Sequence, residues 1–310
     1  MTAVVKAIVL REWRQMALEQ AQACGVEEAG VDWLLRELAN VDRLQLHLAQ
    51  PQAEIPLPCP WETIAERWQQ HCQQQVPLQY LVGWTTWRKL RLKVAPGVLI
   101  PRPETELMVD LALEILQQEP ELAAGHWVDL GTGSGAIAIA LALETAPLTK
   151  VPLKVHGVDC SPAALTIAAE NARSYGLSED SQTNSLTWHL GSWFEPLASW
   201  YGQGNISVML SNPPYIPTLE VEHLAATVRD YEPALALDGG ADGLKALDHL
   251  LHTAPDYLCP GGVWLVEMMA GQSEILQAKL AATGRYDRIC SYPDLAGIDR
   301  FVLARTVDHR

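Results

Sequence analysis

From residue 126 onward, short apolar runs end one after another in a polar signature. Residues 127–130 run into Gly131, 155–158 into Asp159, 186–190 into "GSW", 206–210 into "SNPPY" and 263–266 into Glu267. Helical stretches such as "GAIAIALALE" and "SPAALTIAAENARSYG" lie between them. The second has Ser161 as N-cap, Pro162 at the first helical position and Gly176 as stop. Parallel strands need long crossovers, so this alternation predicts a parallel sheet with helices on its faces. Two late strands over 286–292 and 300–304 are joined by a short loop and should pair antiparallel at one end. In open α/β sheets the ligand crevice lies at the carboxyl ends of the strands. Gly131, Asp159, Trp193, Asn212 and Glu267 are therefore expected to converge on one side.

Upstream the periodicity changes. Val5, Ile8, Val9 and Trp13 fall on one helical face, as do Val31, Leu34, Leu35 and Leu38, and Trp61, Ile64, Ala65 and Trp68. Residues 51–60, with four prolines, break the pattern before the last of these. Residues 1–76 thus read as a small all-helical domain. In 77–100, Leu90, Leu92 and Val94 alternate with Lys89, Arg91 and Lys93, the period of a strand with one basic face, and predict a β-hairpin linker. The sheet domain is expected over 101–310.

Composition narrows the function classes. No apolar run approaches the roughly 20 residues of a membrane helix, and Lys6 interrupts the N-terminal apolar stretch, so neither a membrane span nor a secretory signal is expected. The six cysteines include no C-x-x-C pair, which points to reduced thiols in a cytoplasmic chain. The net charge of −15 opposes a broad phosphate-binding face.

"DLGTGSGA" places three alternating glycines, Gly131, Gly133 and Gly135, on a strand-to-helix turn. Their spacing is G-x-G-x-G, which disfavours the dinucleotide fingerprint G-x-G-x-x-G. Asp159, at the end of the next strand, can accept hydrogen bonds from both hydroxyls of a ribose, or simply sit at a helix N-terminus. No nucleophile triad and no metal-like histidine spacing is visible. A reaction whose electrophile arrives on the cofactor needs neither, and methyl transfer from S-adenosylmethionine is of this kind. The prolines of "SNPPYIP" stiffen a turn in any reading.

With those features in place, "DLGTGSGAIAIALA", "VDCSPAALTIAAENA", "SNPPYIP", "VRDYEPALALDGGADGL", "PLQYLVG" and "VLIPRPETELMVD" closely resemble the peptide chain release factor N5-glutamine methyltransferases, in that family's order across most of residues 77–304. The resemblance implies a seven-stranded, Rossmann-like class I methyltransferase domain. It implies methyl transfer from S-adenosyl-L-methionine, leaving S-adenosyl-L-homocysteine, to the glutamine of the Gly-Gly-Gln loop in class I release factors, and so a part in translation termination. It also implies that Gly131, Thr132, Gly133, Ser134 and Gly135 line the cofactor, that Asp159 holds its ribose, and that Trp193 lies by its adenine. Asn212, Pro213, Pro214 and Tyr215 would hold the substrate, Asn212 would also border the cofactor, and residues 101–105 would close over the site. Residues 1–76 would recognise the release factor.

The reactive constellation is Asn212, Pro213 and Tyr215. The Asn212 side-chain oxygen and the Pro213 carbonyl can each accept one N–H of a carboxamide, and the Tyr215 ring can pack on its plane. "NPPY" alone is shared with nucleic-acid methyltransferases acting on adenine N6 or guanine N2, the alternative reading, which the acidic balance opposes. A monomer without stable nucleic-acid binding, membrane contact or metal is expected. The chain departs from the family pattern at Met269 and Lys89, where glycine is usual, and at Trp87, where phenylalanine is usual.

Overall fold

A computed structural model describes residues 3–179 and 184–307. Contacts divide the chain into two units. The first runs to Trp84 and takes in Ala225–Tyr231; the second holds Thr85–Leu224 and continues from Glu232.

In the first unit the expected helices form, with one correction to the all-helical reading. Ala3–Lys6 is a strand (β1) that pairs antiparallel with Glu54–Leu57 (β2). The helix Ala7–Cys24 begins only after it, and its buried stripe is Ala7, Leu10, Trp13, Ala17 and Ala21 rather than the face through Val5, Ile8 and Val9. A short start with Val4 and Val5 fits a strand or a helix equally well, and pairing with β2 decides for the strand. The N–H groups of Ala7 and Ile8, orphans of the helix start, are taken by the carbonyls of Ala53 and Pro51. Val31, Leu34, Leu35 and Leu38 are buried, as are Ile64 and Trp68. Ala225–Tyr231 belongs to this unit, with the Tyr231 hydroxyl donating to the Gln74 carbonyl.

Apart from Trp84, the hairpin of Trp84–Trp87 (β3) and Leu90–Lys93 (β4) belongs to the second unit. The main sheet of this unit has seven strands: His126–Leu130 (β5), Lys154–Asp159 (β6), Ser185–Leu190 (β7), Ile206–Ser211 (β8), Leu258–Glu267 (β9), Tyr286–Pro293 (β10) and Asp299–Thr306 (β11). Their order is β10-β11-β9-β8-β5-β6-β7, with β5 to β9 parallel and β10 and β11 antiparallel. Every strand expected from the sequence is present. The helices Glu106–Gln118, Ala136–Glu144 and Pro162–Ser174 cover one face; Lys245–Thr253 and Ser273–Thr283 cover the other. Ser161 caps its helix by accepting from Ala164 N–H. Among the described residues no helix is long and apolar enough to cross a membrane.

The strand order reverses at β5, whose neighbours are β6 on one side and β8 on the other. Successive crossovers leave in opposite directions there, which opens a crevice above the carboxyl ends of β5 and β8. Those are the strands that end in the glycine turn and in "SNPPY".

Across three neighbouring strands, His126 on β5, His156 on β6 and His189 on β7 form a chain, with ring nitrogens 2.8 Å and 2.9 Å apart and the Trp200 ring packed beside them. Burial, reinforced by His126, His189 and Lys154, pushes His156 down to about 3. The unfolded chain takes up a proton at His156 near its ordinary value of about 6.5, while the folded chain refuses it. Stability contributed by the neutral ring is therefore complete above that value and falls by about 1.4 kcal/mol per pH unit below it, until the folded ring itself titrates. Urea unfolding across mildly acidic pH should show a slope that His156→Phe makes shallower; equal slopes would contradict this account.

Candidate active site

The crevice holds a cavity of about 590 Å³, lined by residues of the second unit. One wall is the turn after β5. Gly131, Gly133 and Gly135 have φ of 77°, 55° and 82°, a region that side chains other than glycine's rarely enter. A Cβ on Gly133 would stand in open space at the cavity, whereas one on Gly135 would come within 2.9 Å of Trp188 and 3.0 Å of Ile139. Gly133 keeps the floor open to a ligand; Gly135 lets the following helix pack down.

Asp159 is held by two backbone donors, Gly133 N–H to Oδ2 and Ser161 N–H to Oδ1, each at 2.8 Å. Each carboxylate oxygen has capacity for a further donor, which suits a pair of vicinal hydroxyls. Asp129, at the end of β5, is fully buried. Its Oδ2 accepts from the Thr132 hydroxyl at 2.6 Å and from Ala138 N–H at 3.3 Å, and its Oδ1 has no partner among the described residues. Burial, with the charge of Asp159 nearby, pushes its carboxyl up to about 7. Trp193, itself at φ 49°, sets its ring 3.5 Å from where a Cβ on Gly131 would stand.

Another wall of the cavity is the loop after β8. Ser211 hydroxyl donates to the Leu130 carbonyl at 2.7 Å and ties the ends of β8 and β5 together. Asn212 Nδ2 donates to Thr105 Oγ1 at 3.0 Å, Thr105 Oγ1 donates to Glu267 Oε2 at 2.6 Å, and Tyr215 hydroxyl donates to Glu267 Oε1 at 2.9 Å. Glu267, at the end of β9, is 2% exposed. Burial raises its affinity for a proton, opposed by the hydrogen bonds from Thr105 and Tyr215 and by Arg300.

The segments "PRPETE", "NPPY" and "DGGADGL" meet here. Arg102 pairs with Glu232 at 2.8 Å, the carboxylate side chain being almost wholly buried. Ile216 bridges Asp238, and the chain folds so closely that a Cβ on Gly243 would lie 2.3 Å from the Tyr215 carbonyl oxygen. Gln272 Nε2 donates to that same carbonyl at 3.1 Å, while Gln272 Oε1 accepts from Met269 N–H at 3.0 Å. Met269 does not require a positive φ; the glycine-like conformation falls on Gly271, at 89°. In the hairpin the left-handed residue is Arg88, φ 51°, whose guanidinium is gripped by Glu144 and Asp110, and Lys89 is simply exposed.

Of the site residues expected from the sequence, Gly131, Thr132, Gly133, Ser134, Asp159, Trp193, Asn212 and Pro214 line the cavity; Gly135, Pro213 and Tyr215 do not. Pro213 is buried, and Tyr215 turns its hydroxyl to Glu267. Thr105 lines the cavity too, as do Leu235, Lys245 and His249, which sequence reasoning passed over. The "DGGADGL" stretch was the available signal for Lys245, since its glycines carry the chain back to the loop after β8.

A sheet reversing at β5, a glycine turn, an acidic residue ending the neighbouring strand and an amide loop lining the same cavity define a class I, S-adenosylmethionine-dependent methyltransferase. A family model described as a methyltransferase domain matches residues 123–297. The chain is 46% identical over 297 residues to the release factor glutamine methyltransferase of Synechocystis sp., covering 95% of each chain. It is 44% identical over 273 residues to that of Thermosynechococcus vestitus, covering 88% of this chain and 89% of the relative. The catalytic domain of hMettl16, solved with the MAT2A 3′UTR hairpin 6, superposes with a TM-score of 0.52 at 12% identity over 80% of this chain and 83% of its own, a likeness of fold alone. The chain belongs to the release factor glutamine methyltransferase family. Its methyl donor is S-adenosylmethionine.

Proposed function

We propose that this chain methylates the side-chain amide nitrogen of the Gly-Gly-Gln glutamine in class I peptide chain release factors, with Asn212 and the Pro213 carbonyl holding that amide. The observation that carries the reading is the position of Asn212. It lines the same cavity as the glycine turn, with its amide nitrogen already bonded to Thr105, which leaves its oxygen end for a ligand.

The residues fit the donor. The open floor at Gly133 and the spare acceptor capacity of Asp159 match an adenosine with its ribose, with Gly131 to Ser134 along the methionine side and Trp193 beside the adenine. When bound, S-adenosylmethionine supplies a methyl on a sulfonium, a strong electrophile. The protein's task is the acceptor. A carboxamide nitrogen is a weak nucleophile because its lone pair is delocalised, so it must be desolvated and aimed. The Asn212 oxygen and the Pro213 carbonyl each accept one of its N–H bonds, Pro214 borders it and the Tyr215 ring supports its plane. A net hydrogen bond contributes only about 0.5–1.5 kcal/mol, so orientation must supply more than binding.

Residues 1–76 serve as the release-factor-recognition domain, 77–100 as the linker and 101–310 as the catalytic domain, in a cytoplasmic monomer that holds no nucleic acid stably. Transfer from labelled donor to release factor, duplex DNA and ribosomal RNA in parallel tests the reading. Label is expected in the release factor; labelled nucleic acid beside an unmodified release factor would overturn it.

A further inference from the structure

We infer that Thr105 and Glu267 act as positioning residues that fix which end of the Asn212 carboxamide faces the acceptor. The inference rests on the function proposed above and concerns how its central residue is oriented.

A count of protons gives the argument. Glu267 receives one donor on each oxygen, the Thr105 hydroxyl on Oε2 and the Tyr215 hydroxyl on Oε1, so both of its oxygens act as acceptors. A threonine hydroxyl has one proton. With that proton committed to Glu267 at 2.6 Å, Thr105 Oγ1 can only accept from its other neighbour. That neighbour is Asn212, which must therefore present Nδ2 to Thr105, at 3.0 Å, and Oδ1 away from it. The two ends of a carboxamide have nearly the same shape, so packing alone would hardly tell them apart. The relay from Glu267 does. An acceptor amide needs to find an oxygen at this position, because it offers N–H groups; an asparagine turned end for end would present donors to donors.

The same carboxylate anchors the ring of Tyr215, while Gln272 holds the Tyr215 carbonyl. One buried acidic group thus sets both the acceptor handle and the support beneath it. An amide in place of Glu267 could not do so. It would have to donate to one hydroxyl: to Thr105, releasing the threonine proton toward Asn212 Oδ1, or to Tyr215, leaving that hydroxyl without an acceptor.

Three variants of the full chain test this: Thr105→Val, which is nearly the same shape, Thr105→Ser, which keeps the hydroxyl, and Glu267→Gln. Steady-state methylation of release factor and calorimetric cofactor binding are measured on each. Thr105→Val and Glu267→Gln should lower kcat by about 10- to 100-fold, the scale of a misplaced reacting group, while cofactor affinity stays within about twofold and KM for release factor changes little. Thr105→Ser should retain most of kcat. A Thr105→Val variant that binds cofactor and turns over like the parent would overturn the inference, as would a Thr105→Ser variant as slow as Thr105→Val. A parent that binds cofactor but leaves release factor unmodified would instead sink the function on which the inference rests.

Discussion

Asn212→Ala is expected to bind S-adenosylmethionine nearly as the parent does and to transfer its methyl to release factor at least about 100-fold more slowly, the order reached when a reacting group loses its alignment. The glycine turn and Asp159 owe nothing to the Asn212 side chain: Asp159 is oriented by Gly133 and Ser161, and the turn by the Val158 carbonyl, which accepts from Gly131 and Thr132. What alanine removes is the oxygen that aims the acceptor, and it leaves the Thr105 hydroxyl bonded to Glu267 with nothing to orient. Single-turnover kinetics with calorimetry separates the two effects. Full turnover in this variant would remove Asn212 from the reaction.

The second large effect falls on affinity. Asp159→Ala should weaken cofactor binding by about 100-fold or more, since each hydrogen bond to a charged group contributes about 1.5–3 kcal/mol and two hydroxyls are served. It also strips the Gly133 and Ser161 N–H groups of their acceptor, so part of the loss is disorder in the turn. Asp159→Asn, which keeps one acceptor oxygen, should lie between. Calorimetry reporting unchanged affinity in Asp159→Ala would reject the ribose assignment.

The inner strands β5, β6, β8 and β9 were legible because they are largely buried on both faces and so read as continuous apolar runs, each closed by a glycine, an acid or an amide. The rule that ligands gather at carboxyl ends then placed Gly131, Asp159, Trp193 and Asn212 on one side without knowledge of strand order. The relay behind Asn212 was not legible. Thr105 and Glu267 are 162 residues apart, and nothing local to either marks a hydrogen bond between them. Glu267 could be placed at a strand end but not given a partner.

The first strand was misread for a different reason. Val4 and Val5 suit a strand or the opening of a helix, and only the antiparallel register with β2 settles which. The glycine motif concealed a division of labour: Gly133 faces the cavity, while Gly135 is required by Trp188 and Ile139 behind it. Tyr215 held a similar surprise. Its ring was expected to act through its face, and the structure adds a hydroxyl committed to Glu267, where burial and the adjacent carboxylate raise its affinity for its own proton. The departures at Met269 and Lys89 prove local, because neither residue sits where the backbone needs a positive φ.

The central claim is that an amide nitrogen, not a base, is brought to the methyl in this crevice. Mass mapping of a release factor after incubation with the chain and S-adenosylmethionine tests it most directly. One methyl on the side-chain nitrogen of the Gly-Gly-Gln glutamine, absent when that glutamine is replaced, is the predicted result. A methyl on any other residue, or an unmodified release factor beside methylated nucleic acid, would contradict it.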